Sequence, residues 1–115
     1  LEAGGPYTMK ISGKNTIEIK DLLVGEVWVC SGQSNMEWAL KAIDRDKVEQ
    51  NQADFPKIRM FTVKRATAIT PQSDCIGSWS VCSPTTVGNF SAVGYFFAKD
   101  LYEKLGIPIG MVHSS

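Results

Sequence analysis

The sequence predicts an α/β fold built on a parallel sheet, and three observations carry that reading. An apolar run from Val24 to Cys30 stops abruptly and passes through Ser31, Gly32 and Gln33 into a segment with helical spacing. Further on, Val93, Phe97, Leu101 and Leu105 recur every four residues, as on one face of a helix, and Phe96 widens the stripe. Gly106 and Pro108 then close that helix, and a second apolar run, Ile109 to Val112, follows at once. Strands alternating with helices in this order belong to parallel sheets.

Taken in order, Tyr7 to Ile11 and Thr16 to Ile19 alternate apolar and polar residues, with Ser12, Gly13, Lys14 and Asn15 between them. This is a β-hairpin with a four-residue loop, continuing into Asp21 and Leu22. Val24 to Cys30 is denser in apolar residues than alternation requires, which suits an interior parallel strand. A helix is expected from about Asn35 to Ala42, with Met36, Leu40 and Ile43 near one face. The mixed-charge run Asp44 to Glu49 reads as a solvated helix face, and Pro56 marks the end of the polar stretch. Lys57 to Val63 is a second strand. Arg65 to Thr86 contains Pro71, Gly77 and Pro84 and reads as an irregular connection, with a short strand at Trp79 to Cys82. Asn89 or Ser91 caps the long helix ending at Leu105.

Composition narrows the function classes. The 115 residues carry twelve basic and twelve acidic side chains, and no Lys/Arg cluster forms a stripe. Nucleic acid and anionic membrane surfaces are therefore not expected partners. No run approaches the roughly 18 to 20 apolar residues that cross a bilayer, so membrane insertion is not expected. The chain opens LEAGGPYTM, with neither Met nor a basic leader, and reads as an interior piece of something larger. Three cysteines do not make a disulfide framework. Cys30 reads as a small buried hydrophobe, while Cys75 and Cys82 are close enough in sequence to bridge around Gly77 to Val81. No cysteine–histidine spacing indicates zinc, and neither metal nor cofactor is expected.

Chemistry concentrates at the junction CSGQSNMEW, residues 30–38. A serine at the tip of a strand, where the backbone turns into a helix, exposes its hydroxyl beside N–H groups that can hold negative charge. Ser34 is therefore a candidate nucleophile; the competing reading is that it merely caps a helix starting at Asn35. The junction is not G-x-S-x-G, since Met36 holds the last glycine position, and no phosphate-binding glycine loop is present. Gln33 and Asn35 are read as orienting the loop by side-chain hydrogen bonds. Trp38 is placed to wall the acyl or sugar site, whereas Trp28, Phe96 and Phe97 are expected in the core.

GEVWVCSGQSNMEW, residues 25–38, resembles the first signature block of the sialate O-acetylesterase family, within the SGNH (GDSL-like) hydrolase superfamily. FSAVGYFFAKDLYEKLGIPIGMVHSS, residues 90–115, resembles a later stretch of the same family in order and spacing. The resemblance implies an SGNH-hydrolase-like three-layer α/β fold with a parallel sheet, here its N-terminal half only. Residues 1–22 would be the C-terminal hairpin of a preceding β-rich domain, and residues 23–115 the N-terminal part of the hydrolase domain. It also implies that Ser34 is the nucleophile and that its backbone N–H forms one arm of the oxyanion hole. Gly94, with Gly88 as the fallback, would supply another; the alternative for Gly94 is that it permits close packing of helix on sheet. His113 is the only histidine and a candidate base. In the family, however, the base histidine and its acidic partner lie near the end of the hydrolase domain, outside these residues. His113 is then a strand-end residue that lines the cleft or is structurally bonded.

The expected function is that of a serine esterase removing O-acetyl groups from sialic acid or a related sugar, acting without cofactor. An acetylxylan or other polysaccharide deacetylase is the rival within the enzyme class, and a non-catalytic carbohydrate-binding module the rival outside it. The expected partners are an O-acetylated sugar or glycan and the remainder of the same polypeptide or a cleaved partner chain, needed to complete the fold. By resemblance the setting is secreted, periplasmic or lysosomal.

Overall fold

The computed structural model describes residues 1–115. The elements in chain order are β1 (Gly4–Ser12), β2 (Thr16–Val24), β3 (Glu26–Ser31), α1 (Ser34–Glu37), α2 (Leu40–Ile43), α3 (Val48–Gln52), β4 (Phe55–Thr62), β5 (Trp79–Cys82), a 3₁₀ turn (Val87–Asn89), α4 (Ala92–Leu105) and β6 (Ile109–Ser114). β1 and β2 form a two-stranded antiparallel sheet of their own, and the other strands form a sheet in the order β3-β6-β4-β5. β3, β6 and β4 are parallel and β5 runs antiparallel beside β4, so the architecture is mixed α/β with a mostly parallel sheet.

The hairpin pairs Met9 with Ile19 and Ile11 with Ile17, but Ser12 pairs with Thr16, so the loop is Gly13 to Asn15 rather than four residues. Both strands run further than the alternating runs indicate, β2 as far as Val24. Arg59 on β4 holds the hairpin base, donating to the Asp21 carbonyl at 2.7 Å and to its carboxylate at 2.8 Å. β3 is parallel as expected but not interior: it pairs with β6 alone, and Val27 and Val29 are exposed. The strands bonded on both edges are β6 and β4, and only β6 has parallel neighbours on both sides.

Alternation on β4 and β6 builds the core. Ile58 and Met60 face the same side as Ile109, Met111 and His113, in register Ile58 to Ile109 and Met60 to Met111. Each such apolar side chain contributes about 1.5–3 kcal/mol when withdrawn from water. α4 covers this face. Ser91 is its N-cap, the alternative to Asn89, and accepts from the Gly94 N–H; Gly106 at φ 66° closes the other end. The four-residue stripe, however, packs against the core only at Leu101. Ala92, Gly94, Tyr95 and Ala98 face it, whereas Val93, Phe96, Phe97 and Leu105 are substantially exposed. The small residues beside Tyr95 let the helix approach the sheet, and Val93, Phe96, Phe97 and Leu105 stand to the side. There Phe97 meets the edge of Trp28 at 5.0 Å, so these rings are half-covered rather than core. The opposite face of the sheet carries exposed Val27, Val29 and Trp79. Residues 1–115 thus make two layers.

Three further expectations change. The helix expected over Asn35 to Ala42 is broken into α1 and α2 at Trp38 and Ala39, whose backbones are extended. Tertiary bonds replace the helical ones there: Ala92 N donates to Trp38 O at 2.8 Å, and Leu40 N to Phe90 O at 2.9 Å. Asp44 to Glu49 is not a continuous helix face. Asp44 ends a loop-side cap on α3, accepting from Glu49 N at 3.2 Å and Gln50 N at 2.8 Å. All three cysteines are free, with Cys82 buried and Cys75 exposed, so the bridge between them does not form. Burial pushes the Cys82 thiol up to about 12.

Glu49 ties α3 to α4. Its carboxylate accepts from Lys99 Nζ at 2.5 Å and Tyr95 OH at 2.9 Å. The bond from Lys99, more than that from Tyr95, holds the Glu49 carboxyl below its ordinary range against the effect of burial. A depressed carboxylate stabilises the fold above its unfolded pKa and loses that contribution as pH falls through the folded value. Glu49→Gln is expected to cost about 1–2 kcal/mol at neutral pH. Urea unfolding at stepped pH should show the deficit shrinking below about pH 4; a deficit constant across that range would assign the effect to packing.

Candidate active site

The three parallel strands end at one level. Ser31 lies opposite Ser114, and Thr62 opposite His113. In open α/β sheets the crevice beyond these carboxyl ends is where ligands bind. β3 delivers the serine junction there. Cys30 is the last buried residue; Ser31 to Asn35 are all exposed. The turn is made at Gly32, whose φ of 128° is a conformation that side-chain-bearing residues rarely adopt. Gln33 is the extended N-cap of α1 and makes no side-chain cap bond, so Ser34 is the first helical residue. The reading of Ser34 as the cap is thereby corrected, and Gln33 does not orient the turn through a capping bond. Trp38 is exposed just beyond α1, on the same junction.

Gly94 has a different place. It lies in the first turn of α4, and its N–H donates to Ser91 Oγ at 3.2 Å. A Cβ there would stand 2.8 Å from Cys30 Sγ and 3.0 Å from the Phe90 ring. The geometry favours the packing role: the missing side chain is what lets α4 sit on β3, and the N–H is already engaged. Gly88, in the 3₁₀ turn, has Gln50 Oε1 where its Cβ would be, at 2.6 Å.

His113 is buried on β6, in register with Cys30 and Thr62. Its Nε2 shares a 2.6 Å hydrogen bond with Ser115 Oγ, and its ring packs against the edge of Phe90 at 5.6 Å. Nδ1 is buried without a partner. Burial first, and then the positive charge of Arg65, hold its pKa below the ordinary imidazole value. This is a histidine built into the strand end, where its charged form is disfavoured. Arg65, just past β4, forms an ion pair with Glu37 of α1, so one charged bridge spans the mouth. Nothing in the sequence marked this pair, because partners 28 positions apart on unrelated segments leave no periodic trace.

Two hollows flank the sheet. The larger, about 540 Å³, lies at the opposite, amino end of the strands, between the hairpin base and Arg59, Trp79 and Pro108. The smaller, about 370 Å³, lies beside the carboxyl end of β4 and is lined by Thr62, Ser78, Ser80, Thr86, Asn89 and Phe90, among others.

Comparison with known proteins bears on this arrangement. A sialate O-acetylesterase of Rattus norvegicus is 34% identical over 131 aligned residues, covering 100% of this chain and 24% of that protein. The chain is homologous, end to end, to the sialate O-acetylesterases. The Homo sapiens sialate O-acetylesterase is 30% identical, again over 100% of this chain and 25% of the relative. A crystal structure of a carbohydrate acetylesterase from Xanthomonas citri superposes with a TM-score of 0.90 at 39% identity, covering 97% of this chain and 26% of that one. The chain therefore spans about a quarter of the length of the relatives it matches. No protein-family model matches it.

The Gly94 contact is open to test. Gly94→Ala is expected to destabilise by about 1–3 kcal/mol through overpacking against Cys30. Adding Cys30→Ala, which vacates that space, should restore part of the loss in thermal unfolding. Simple additivity of the two losses would show that the sulfur is not what the helix rests on.

Proposed function

We propose that the chain is part of a serine esterase that removes O-acetyl groups from a sugar, sialic acid foremost. The observation that carries this is the exposed Ser34 at the carboxyl end of a parallel strand, in a chain that aligns throughout with acetylesterases. Ser34 Oγ attacks the acetyl carbonyl and its proton passes to an imidazole contributed from outside residues 1–115. The tetrahedral oxyanion is held by the Ser34 backbone N–H together with further donors. Collapse expels the sugar hydroxyl, which takes the proton back, and leaves acetyl-Ser34. Water, deprotonated by the same imidazole, then releases acetate and restores the serine. The hydroxyl- and amide-lined hollow beside β4 offers partners for sugar hydroxyls.

The same reading completes the architecture. Residues 1–22 end a β-rich domain, supported by a hairpin that pairs only with itself, and residues 23–115 begin an SGNH-type three-layer hydrolase domain. The third layer, and a neighbour for β3, come from the remainder of the same polypeptide or a cleaved partner chain. The exposed Val27, Val29, Phe96 and Phe97 support this, because apolar surface of that extent marks a contact. A glycan substrate, with the family resemblance, argues for a secreted, periplasmic or lysosomal setting. A broader substrate range, acetylated xylan included, is the second reading; it is favoured by the Xanthomonas citri neighbour, described as a carbohydrate acetylesterase.

In the full-length polypeptide, Ser34→Ala should leave unfolding unchanged and lower acetyl-ester hydrolysis roughly ten-thousand-fold. Retained activity would remove Ser34 from the mechanism. Acetate release from O-acetylated sialic acid measured against acetylated xylan separates the two substrate readings. Failure of an organophosphonate to label the wild-type protein would favour a carbohydrate-binding module.

A further inference from the structure

The nucleophile turn does not hold itself in place. α1 is a single turn of four residues, and a helix that short has no favourable propagation term and leaves its carbonyls without internal partners. Those carbonyls are claimed by the start of α4. Ser91 Oγ donates to Met36 O at 2.5 Å, and Ala92 N donates to Trp38 O at 2.8 Å. An isolated bridge pairs Ala39 with Ser91. Ser91 is completely buried, and its hydroxyl both donates and accepts, taking a bond from Gly94 N at 3.2 Å. One hydroxyl therefore joins two elements 55 positions apart: the cap of α4 and the backbone two residues after Ser34.

We infer that Ser91 is a positioning residue, whose hydroxyl fixes the one-turn helix bearing Ser34 against the sheet. The inference rests on the reading of Ser34 as nucleophile. A serine that only capped α4 would need the bond to Gly94 and no other. The bond to Met36 adds nothing to α4, but it sets the height and tilt of α1. Without it the Met36 carbonyl loses its donor, the turn relaxes, and Ser34 Oγ leaves the position at which an ester carbonyl meets it. Misplacement by about 1 Å costs up to roughly a hundredfold in rate. Substrate contacts made elsewhere are untouched, so the loss falls on kcat and not on KM.

The test compares Ser91→Ala with Gly106→Ala in the full-length protein. Gly106 caps the far end of α4 at φ 66°, so alanine there strains the helix without touching α1. Active sites are titrated with an organophosphonate, and kcat and KM for an acetyl ester are expressed per titrated site. Ser91→Ala should lower kcat at least tenfold with KM within about twofold, and should slow phosphonate uptake in parallel. Gly106→Ala should lower thermal stability while leaving kcat per site near wild type. If Ser91→Ala gives no folded protein, Ser91→Cys serves, being close in size with a weaker donor and acceptor. Unchanged kcat per site in the Ser91 variant, or an equal fall in both variants, would overturn the positioning role. A wild-type protein that neither takes up phosphonate nor releases acetate would defeat the esterase reading and this role together. A labelled, active wild type with indifferent Ser91 variants would defeat the positioning role alone.

Discussion

β6 is hydrogen-bonded in parallel register on both edges, and the geometry at the mouth follows from that pairing. It puts Trp28, Met111 and Met60 in one row across the sheet and Cys30, His113 and Thr62 in the next row on the same face. The strands consequently end together, and the segments leaving them emerge at one level. A slip of one residue in either ladder would turn every inward side chain outward, because strand side chains alternate with a period of two. The register is specified by the apolar rows themselves: Ile58, Met60, Ile109 and Met111 are buried only in this alignment.

α4 converts that flat row of strand ends into a site. Its small residues Ala92, Gly94 and Ala98 bring it close above the sheet, and its first turn reaches the segment after Ser34. The helix thus works at two scales. Along its length it covers apolar side chains of β4 and β6; at its amino end it exchanges backbone and hydroxyl bonds with residues 36–40. Glu49, bonded to Tyr95 and Lys99, fastens the intervening α3 to the same helix, so the whole excursion between β3 and β4 is referred to one rigid element.

The parts of this structure legible in the sequence are those with a local cause. The hairpin, the strands around Cys30, Met60 and Met111, the short strand Trp79–Cys82, and both ends of α4 follow from alternation, caps and breakers, which act over a few residues. What was not legible arises from contacts between distant segments. The four-residue recurrence in α4 marks an apolar side, yet apart from Leu101 the core is met by Ala92, Gly94, Tyr95 and Ala98, because the close approach of helix to sheet decides which face sits down. The helix after Ser34 breaks at Trp38 and Ala39 because Phe90 and Ala92 compete for its backbone groups. At the site, the exposed Ser34 is where the junction motif indicates. The close approach of Gly94 to Cys30 and the burial of His113 depend on neighbours that no local pattern names.

Gly32 adds a constraint of another kind. Nothing stands within 4 Å of the point where a side chain would attach, yet its φ is 128°. The demand on this residue is torsional and not spatial. A crowded position can be relieved when the residue it touches becomes smaller, so such sites admit second-site suppression. Strain in a dihedral is not relieved by making a neighbouring side chain smaller. A substitution at position 32 is therefore strained whatever the space around it, and trimming a neighbouring side chain does not remove the preference for glycine there.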